Sequence, residues 1–329
     1  MNIYIYPTYT PSRDKSGNLY IKFFHEAFKK KNQCQLVNRC WKIGVSSILF
    51  NLDAQFFIIQ WIDLIPFKRF GKIQFCVFII SILLLKILKK KIIWVLHNKR
   101  AHDRNSRLVD LGMAFMAKYS TKIITHSEEG VSFFNQYYPK YKGKAYYIPH
   151  PIYTEQIFTS DEIVWDYIIW GTITPRKKIL EFVQYAIKEP FFQSKKIIIC
   201  GKCNNTIYDN EIKKHITNNF TYINKFLSDE ELSIYIKKSK CILFTYNAES
   251  LLSSGALIYS LNYCKPIIGP NAGNFIDLKN IVTCYKTFDE IPYLKINFDY
   301  NHLLYYIQEN TWDKLPDKII TLLQYKNIQ

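Results

Sequence analysis

Apolar positions follow two different spacings along the first half of the chain. Short continuous apolar runs are typical of buried strands, and segments with an apolar residue every three or four positions are typical of helices. The runs that predict strands are 2–7, 56–62, 91–96, 121–126 and 144–149, and the segments that predict helices are 18–31, 75–88, 106–119 and 128–138. This alternation predicts a parallel sheet covered by helices on both faces.

A second series with the same alternation follows the stretch "PIYTEQIFTSDE", which has no clear period. Strands are predicted at 166–171, 195–201, 220–225, 240–246 and 265–270, and helices at 176–188, 209–217, 229–238 and 254–263. The sequence therefore predicts an α/β protein with two doubly wound, Rossmann-like domains, 1–155 and 156–310. A last helix, about 313–325 within the segment 311–329, is expected by analogy to cross back onto the first domain.

The composition is that of a folded chain with a strong positive charge. Hydrophobic residues make up 48% of it, and the formal net charge is +17. Such a charge favours an anionic partner, namely a phosphorylated substrate, an anionic membrane surface or a nucleic acid. Because no nucleic-acid-binding motif stands out, nucleic acid is not expected as a partner.

The most apolar stretch, 75–88, runs directly into the basic run "KILKKK". It is shorter than the ~20 residues that a membrane-spanning helix needs. It is interpreted either as a buried helix or as an interfacial helix that places Lys86 and Lys89–Lys91 near lipid head groups. Since the N-terminus reads as a strand and not as a signal peptide, the expected location is the cytoplasm, with attachment to the inner face of the membrane only under the interfacial interpretation.

Eight cysteines are present, most of them in apolar, strand-like runs. They are expected to be reduced and buried, as in a cytosolic protein. Cys200 and Cys203 form a single C-x-x-C, which is weak support for zinc or redox chemistry. Since this pair coincides with a strand that ends in a glycine turn, a structural role is the preferred interpretation.

Three predicted strands of the first domain end in histidine: His97, His126 and His150. Ligands of open parallel sheets bind at the carboxyl ends of the strands, so these residues mark a candidate site. His126 and His150 are expected to bond loop carbonyls. A zinc site made by the three histidines has no support from their spacing.

The segment "HNKRAHD" after the third predicted strand carries the candidate acceptor-side groups. His97, His102 and Asp103 are candidate catalytic residues, since an imidazole or a carboxylate can orient a hydroxyl and accept its proton. Asn98 is a candidate contact to the acceptor. The alternative for the two histidines is a purely structural role.

In the second domain, "WGTITPRKK" combines a strand end, a glycine and a group of cations. Gly171 allows a ligand to approach the backbone. Arg176 and Lys177 are candidate ligands of phosphate oxygens. The alternative is a solvated basic face of the next helix, particularly for Arg176 and Lys178.

The stretch "AESLLSSGALIYSL" predicts a second part of the same site. Ser253 or Ser254 would cap the following helix, and Gly255 would leave its first amides accessible to a diphosphate. Simple capping is the alternative. Glu249 is a candidate acceptor of hydrogen bonds from sugar hydroxyls, and Tyr259, one turn beyond Gly255, a candidate contact to a ribose.

Together these segments resemble the GT-B glycosyltransferases, specifically family four of the nucleotide-sugar-dependent enzymes of bacterial polysaccharide synthesis. The resemblance covers nearly the whole chain. It rests on the order and spacing of "GNLYIKFFHEAF", "IIWVLHNKRAHD", "IITHSEEGVSFF", "YYIPHPIY", "WGTITPRKKILEFVQYAI", "FLSDEELSIYIKKSKCILFTY" and "SSGALIYSLNYCKPIIGPNAG".

The resemblance implies two Rossmann-like domains facing a cleft, with the acceptor on the N-terminal domain and the nucleotide-sugar on the C-terminal one. It implies no cofactor besides this co-substrate, and no metal. By position, Lys177 resembles the diphosphate lysine, and Ser254 and Gly255 the "SG" at the helix that meets the diphosphate. Gly17 resembles the glycine of the first loop, close to the transferred sugar.

His97 and Asn98 resemble the family's "HN" at the acceptor-side strand end. At two other places the sequence departs from the family's pattern. Many members carry two glutamates eight residues apart near the last helix start, where this chain has Leu251 and Tyr259. An arginine that often follows the strand glycine is Thr172 here.

The resemblance implies a hexosyltransferase that moves a sugar from a nucleotide diphosphate to a hydroxyl of a glycan. A lipid-linked acceptor in lipopolysaccharide or capsule synthesis, with an anionic membrane surface as a further partner, fits the positive charge. Two alternatives stay open. One is a GT-B sugar-nucleotide epimerase, and the other is a catalytically degenerate GT-B domain that acts as a non-enzymatic assembly partner.

Overall fold

The computed structural model describes residues 1–9, 19–39, 41–99, 106–159 and 161–324. The chain divides into two compact units. The first consists of Met1–Tyr153 and the segment from Asn310 onward, and the second of Thr154–Glu309. The division thus falls two residues before the predicted domain boundary at 155/156.

The first unit is a parallel sheet with helices. Its strands are β1 (Asn2–Tyr6), β2 (Gln35–Leu36), β3 (Phe56–Gln60), β4 (Lys91–Leu96), β5 (Lys122–Thr125) and β6 (Ala145–Tyr147). Its helices are α1 (Leu19–Lys30), α2 (Gly71–Ile87), α3 (Arg107–Tyr119), α4 (Glu128–Tyr137) and, at the end of the chain, α12 (Leu315–Gln324). Helices of the 3-10 type cover Trp41–Asn51, Ile62–Phe67, Pro139–Tyr141 and Trp312–Lys314.

All strand pairs of this sheet are parallel, in the order β2-β1-β3-β4-β5-β6. The central strands β3 and β4 are apolar except for Gln60 and Lys91 at their ends, because both faces of the sheet are covered. Ile58 of β3 pairs with Ile93 of β4, and both side chains are buried. The terminal helix α12 packs Leu315 and Ile319 into the same core. The order reverses between β1 and β3, which makes this pair the switch point of the first sheet.

The second unit repeats this architecture. Its strands are β7 (Trp165–Trp170), β8 (Ile197–Cys200), β9 (Phe220–Ile223), β10 (Ser239–Leu243), β11 (Ile267–Pro270) and β12 (Val282–Tyr285). Its helices are α5 (Ile179–Ala186), α6 (Pro190–Gln193), α7 (Thr206–His215), α8 (Asp229–Lys237), α9 (Gly255–Leu261), α10 (Asn274–Asp277) and α11 (Tyr300–Glu309). Single 3-10 turns stand at Pro175–Lys177, Ala248–Ser250 and Phe288–Tyr293.

The second sheet is also parallel, in the order β12-β11-β10-β7-β8-β9. Its first strand in sequence, β7, is central, and β10 starts the other half, so the order reverses between these two strands. This is the doubly wound arrangement of a dinucleotide-type fold, in which ligands bind beyond the carboxyl ends of the two strands at the switch point. The predicted α/β class with two Rossmann-like units is confirmed.

Several elements differ from the sequence prediction. Helix α2 begins at Gly71 rather than at 75, and β2, β12, α6, α10 and α11 have no predicted counterpart. Four of these elements have two to four residues, too few to show a period, whereas the ten-residue α11 was missed although Leu303 and Ile307 stand at helical spacing. The expectation of buried cysteines is wrong for Cys76, whose side chain is exposed on α2. In the part of the chain that is described, no helix is both long and apolar enough to cross a membrane.

Candidate functional site

The loop after β7 places an amine directly against a glycine at the switch point of the second unit. Gly171 has a φ of +97°, a conformation that glycine adopts without strain. A Cβ at this position would lie 2.6 Å from Lys177 Nζ, so only glycine leaves room for that amine. The two predicted residues Gly171 and Lys177 are therefore neighbours in the structure.

Lys177 ends the 3-10 turn Pro175–Lys177, and its side chain is turned inward. The residue is only 7% exposed, and Nζ donates to the carbonyl oxygen of Trp170 at 2.9 Å. Burial lowers the pKa of this amine below its ordinary value. A buried lysine is rare unless it has a partner, and one carbonyl uses one of its three donors.

Tyr246, which the sequence analysis did not single out, joins the loops after β7 and β10. Its ring lies 5.3 Å from Lys177 Nζ and 5.8 Å from the Arg176 guanidinium carbon. The amide of Asn247 donates to the carbonyl of Arg176 at 2.9 Å, and the Thr245 hydroxyl donates to the carbonyl of Lys177. Two cations and one aromatic ring are thus fixed at the switch point.

The predicted helix start at "SSG" is capped by its own serine. Helix α9 has seven residues, and Ser254 Oγ accepts the amide of Leu257 at 3.2 Å. The same hydroxyl donates to Tyr246 Oη at 3.3 Å, and the amide of Ser254 donates to Asn274 Oδ1 at 3.0 Å. Ser254 thus has the N-cap role that the sequence analysis gave as the alternative, and it also contacts Tyr246.

Two loops meet beside this cap. The amide of Asn274 donates to the carbonyl of Leu252 at 3.0 Å. Gly273, with φ +55°, could carry no Cβ, because that atom would lie 2.5 Å from the same carbonyl oxygen. The two ends of the stretch "SSGALIYSLNYCKPIIGPNAG" are therefore in contact.

Three buried polar atoms of these loops have no hydrogen-bond partner among the described residues: Ser250 Oγ, Ser253 Oγ and Asn274 Nδ2. Such atoms are uncommon in folded proteins, and each costs about 1–3 kcal/mol unless something else bonds it. Two hydroxyls and an amide donor suit an anion or a sugar. Ser250 and Asn274 were missed from the sequence, where each stands in a polar turn without a motif.

The other two predicted residues of the second unit lie at the edge of this group. Glu249 is exposed in the 3-10 turn Ala248–Ser250. Tyr259 is half-buried on α9, where its hydroxyl accepts from Tyr263 Oη at 3.3 Å and its ring lies 5.4 Å from the ring of Trp170. The ring of Tyr259 thus packs beside the residue whose carbonyl holds Lys177.

The cysteine pair of the second unit is structural. Cys200 and Cys203 are buried in the core, and both are free thiols. Burial raises the pKa of Cys200 to about 12, which leaves little thiolate at neutral pH. The described residues contain no group of three or more His, Cys, Asp or Glu side chains placed to hold a metal ion.

In the first unit, the three histidines that end strands meet around one buried tyrosine. The ring of Tyr20 lies 4.9 Å from that of His97, 5.5 Å from that of His126 and 5.3 Å from that of His150. The Tyr20 hydroxyl and His126 Nε2 are 2.6 Å apart. The predicted clustering of these histidines at one edge of the sheet is confirmed.

His126 and His150 have the structural role expected of them. His126 Nδ1 donates to the carbonyl of Ile148, and His150 Nδ1 to that of Pro151, each at 2.8 Å. With Nδ1 as donor, His126 Nε2 accepts from the Tyr20 hydroxyl, so both ring nitrogens are engaged. Burial lowers the pKa of His126 to about 4 and that of His150 to about 3, so both are neutral at pH 7.

His97 and Asn98 follow β4 and are partly exposed. His97 stacks on Trp61 with ring centroids 4.2 Å apart, and Nε2 donates to Gln60 Oε1 at 3.0 Å. Asn98 Nδ2 lies 3.5 Å from Asp63 Oδ2, and burial raises the pKa of this carboxyl. Asp63 was missed from the sequence, although a single acidic residue in the apolar run "FFIIQWIDLIPF" was a usable signal.

Three predicted site residues lie outside the residues that the structure describes: Gly17, His102 and Asp103. Each stays a prediction from the resemblance and the sequence. The described part of the acceptor-side group consists of His97 and Asn98 with Trp61, Gln60 and Asp63 around them.

The fold is that of known GT-B glycosyltransferases. No family model matches the sequence, and no curated protein matches it either. Among solved structures, Anabaena HepE in complex with UDP and glucose aligns with a TM-score of 0.65 and 12% identity over 98% of this chain and 99% of that one. The lipopolysaccharide outer core galactosyltransferase WaaB gives 0.63 and 10% over 98% and 100%.

A glycosyltransferase from Rickettsia africae aligns with a TM-score of 0.63 and 12% identity over 99% of both chains. At such identities the likeness concerns the fold alone. It confirms that this chain has the GT-B fold over its whole described length, as the sequence resemblance implies.

Proposed function

We propose that this protein is a glycosyltransferase that uses a nucleotide diphosphate sugar as its donor. The observation that carries the proposal is the buried amine of Lys177 at the switch point of the second unit. This amine donates to the carbonyl of Trp170 and occupies space that a Cβ on Gly171 would fill. A buried cation at this position of a doubly wound sheet suits a phosphate ligand. Anabaena HepE, which has the same fold, is known in complex with UDP and glucose.

The donor's diphosphate would bond Lys177 and Arg176 on one side. On the other side it would meet the polar atoms of Ser250, Ser253 and Asn274, which have no partner among the described residues. Since charge builds up on the departing diphosphate as the glycosidic bond breaks, fixed cations lower the barrier to transfer. Glu249 and Tyr259 are proposed to contact the sugar and the ribose, at the edge of the same group.

His97 is proposed as a catalytic group of the first unit, together with His102 and Asp103 from the sequence prediction. Asn98 is proposed as the acceptor contact, and Gly17, also from the sequence prediction, as a donor contact close to the transferred sugar. The imidazole of His97 is fixed by Trp61 and Gln60, which orients it for bonding to a hydroxyl. A hexosyl transfer to a glycan hydroxyl, with a lipid-linked acceptor in surface polysaccharide synthesis, is the specific role that we infer.

The test is sugar transfer with the full chain. The protein is incubated with radiolabelled UDP-, GDP-, ADP- and dTDP-sugars and with a glycolipid extract as the acceptor source. Label that appears in the glycolipid only when both substrates are present supports the proposal. Release of nucleoside diphosphate without an acceptor, or a changed sugar configuration in the donor, would favour an epimerase. Absence of nucleotide-sugar binding would favour the non-enzymatic assembly partner.

A further inference from the structure

Helix α2 of the first unit exposes an apolar stripe along its whole length. Ile73 is 65% exposed, Ile80 60% and Ile87 75%, and Cys76 and Leu83 are exposed between them. At ~100° per residue these five positions fall within an arc of about 80° on one side of the helix. Apolar side chains in such an arrangement are expected to face a core, but here they face outward.

The opposite side of α2 already has its partners. Phe75, Phe78, Ile82 and Leu85 are buried, and a Cβ on Gly112 of α3 would lie 2.9 Å from the ring of Phe75. The packing of α2 within the first unit therefore uses only one face of the helix. The outward face, Ile73, Cys76, Ile80, Leu83 and Ile87, is called the apolar stripe below.

The chain segment that carries the apolar stripe has charges of a single sign. Between Asp63 and Asp103 the sequence contains nine lysines and arginines and no aspartate or glutamate. Lys72 at the start of α2 and Lys86 near its end are exposed, and Lys89 and Lys91 follow as exposed residues. Apolar side chains bordered by cations match the two layers of an anionic membrane surface, with acyl chains below and phosphates above.

We propose that α2 seats this protein on an anionic lipid bilayer, with the apolar stripe in the head-group and acyl boundary and the flanking lysines on lipid phosphates. From Ile73 to Ile87 the helix, at ~1.5 Å per residue, measures about 21 Å, which suits an orientation parallel to the bilayer plane. If a soluble protein bound here instead, the flanking lysines would lack opposite charges unless that partner were strongly acidic.

The proposal is tested by cosedimentation of the full chain with vesicles. Vesicles of phosphatidylcholine and phosphatidylglycerol in equal amounts are compared with vesicles of phosphatidylcholine alone. We expect binding to the anionic vesicles only, and weaker binding as salt is raised. A variant I73Q/I80Q/I87Q is expected to bind at least tenfold more weakly, because it loses the apolar contacts and keeps every charge.

The charge contribution is tested with K72Q/K86Q/K89Q. Each charge near an anionic surface is worth ~5-fold in partitioning, so about 100-fold weaker binding is expected at low salt. Matched controls remove exposed residues of the same kinds from the second unit. The isoleucine control is I207Q/I234Q/I296Q, and the lysine control is K188Q/K279Q/K295Q. Both controls are expected to bind like the unchanged protein.

Alkylation of the native thiol of Cys76 reports the same contact without a substitution. Its modification rate, read by mass spectrometry of the peptide that carries it, is expected to fall when anionic vesicles are added. Equal binding to both vesicle types, full binding by I73Q/I80Q/I87Q, or an unchanged alkylation rate would overturn the proposal. So would a dimer in sedimentation velocity that only I73Q/I80Q/I87Q abolishes, since it would make the apolar stripe a contact between two copies.

Discussion

Replacing Lys177 by methionine separates the charge of this residue from its packing. Methionine fills a similar volume and removes both the ammonium charge and the donors. The residue is 7% exposed and its amine makes one bond to a carbonyl, so a diphosphate would meet it in a largely dry environment. Hydrogen bonds to charged groups are worth about 1.5–3 kcal/mol, so the nucleoside diphosphate of the donor is expected to bind roughly 10- to 150-fold more weakly to K177M.

The assay is isothermal titration with UDP, GDP, ADP and dTDP, together with a thermal melt by circular dichroism. The fold is expected to survive, because the change removes a buried charge and leaves no charged partner behind. Lys178→Asn is the matched control: it removes the neighbouring charge, and asparagine tolerates the left-handed backbone found there, with φ +50°. If the nucleoside diphosphate that binds the unchanged protein kept its affinity for K177M, or lost as much affinity for K178N, the assignment of Lys177 as the diphosphate ligand would be refuted.

Three further outcomes follow from the structure. Gly171→Ala places a Cβ 2.6 Å from Lys177 Nζ at a φ of +97°, so it should lower the melting temperature and weaken binding of the nucleoside diphosphate, and a variant that binds it normally would contradict this. Binding of the nucleoside diphosphate should take up protons at alkaline pH, because burial lowers the pKa of Lys177 and the bound diphosphate raises it, and calorimetry in buffers of different ionisation enthalpy detects this. Burial lowers the pKa of His25 and His126 to about 4 and that of His150 to about 3. The stability that these neutral histidines contribute is therefore complete above about pH 6.5 and is lost as the pH falls toward about 4, by up to ~4 kcal/mol per pH unit for the three together. Urea midpoints that stay constant between pH 7 and pH 5 would refute this prediction.

The alternation of strand and helix patterns was enough to predict the fold class. Strands buried on both faces read as continuous apolar runs, and those runs agree with most strands of both sheets. The short elements escaped prediction: β2 has two residues, and α10 has four. Their formation depends on tertiary contacts that no local period encodes.

Residues of the candidate site were predictable where a glycine or a cation follows the end of a predicted strand. Gly171 and Lys177 follow this rule, and the structure brings them together. Tyr246 was missed because its role depends on the contact between the loops after β7 and β10, which are far apart in sequence. Ser254 could not be assigned from the sequence, because a serine before a helix fits both an N-cap and a ligand contact. In the structure its hydroxyl accepts from the amide of Leu257, which makes it the N-cap.

The acceptor side was predictable only in part, for a similar reason. His97, His126 and His150 share the pattern of a strand-end histidine, yet the latter two bond carbonyls in the core. What distinguishes His97 is its partial exposure and its stacking on Trp61. Burial is a property of the folded chain, and the strand pattern alone does not report it.

The most direct test of the central claim is a thermal-shift screen of the full chain against UDP-, GDP-, ADP- and dTDP-sugars. A ligand at ~100 times its dissociation constant stabilises the protein that it binds by about 2.7 kcal/mol. We expect a raised melting temperature with at least one of these donors, and a clearly smaller rise for Lys177→Met than for Lys178→Asn. A melting temperature unchanged by every donor would exclude a nucleotide-sugar site in this protein.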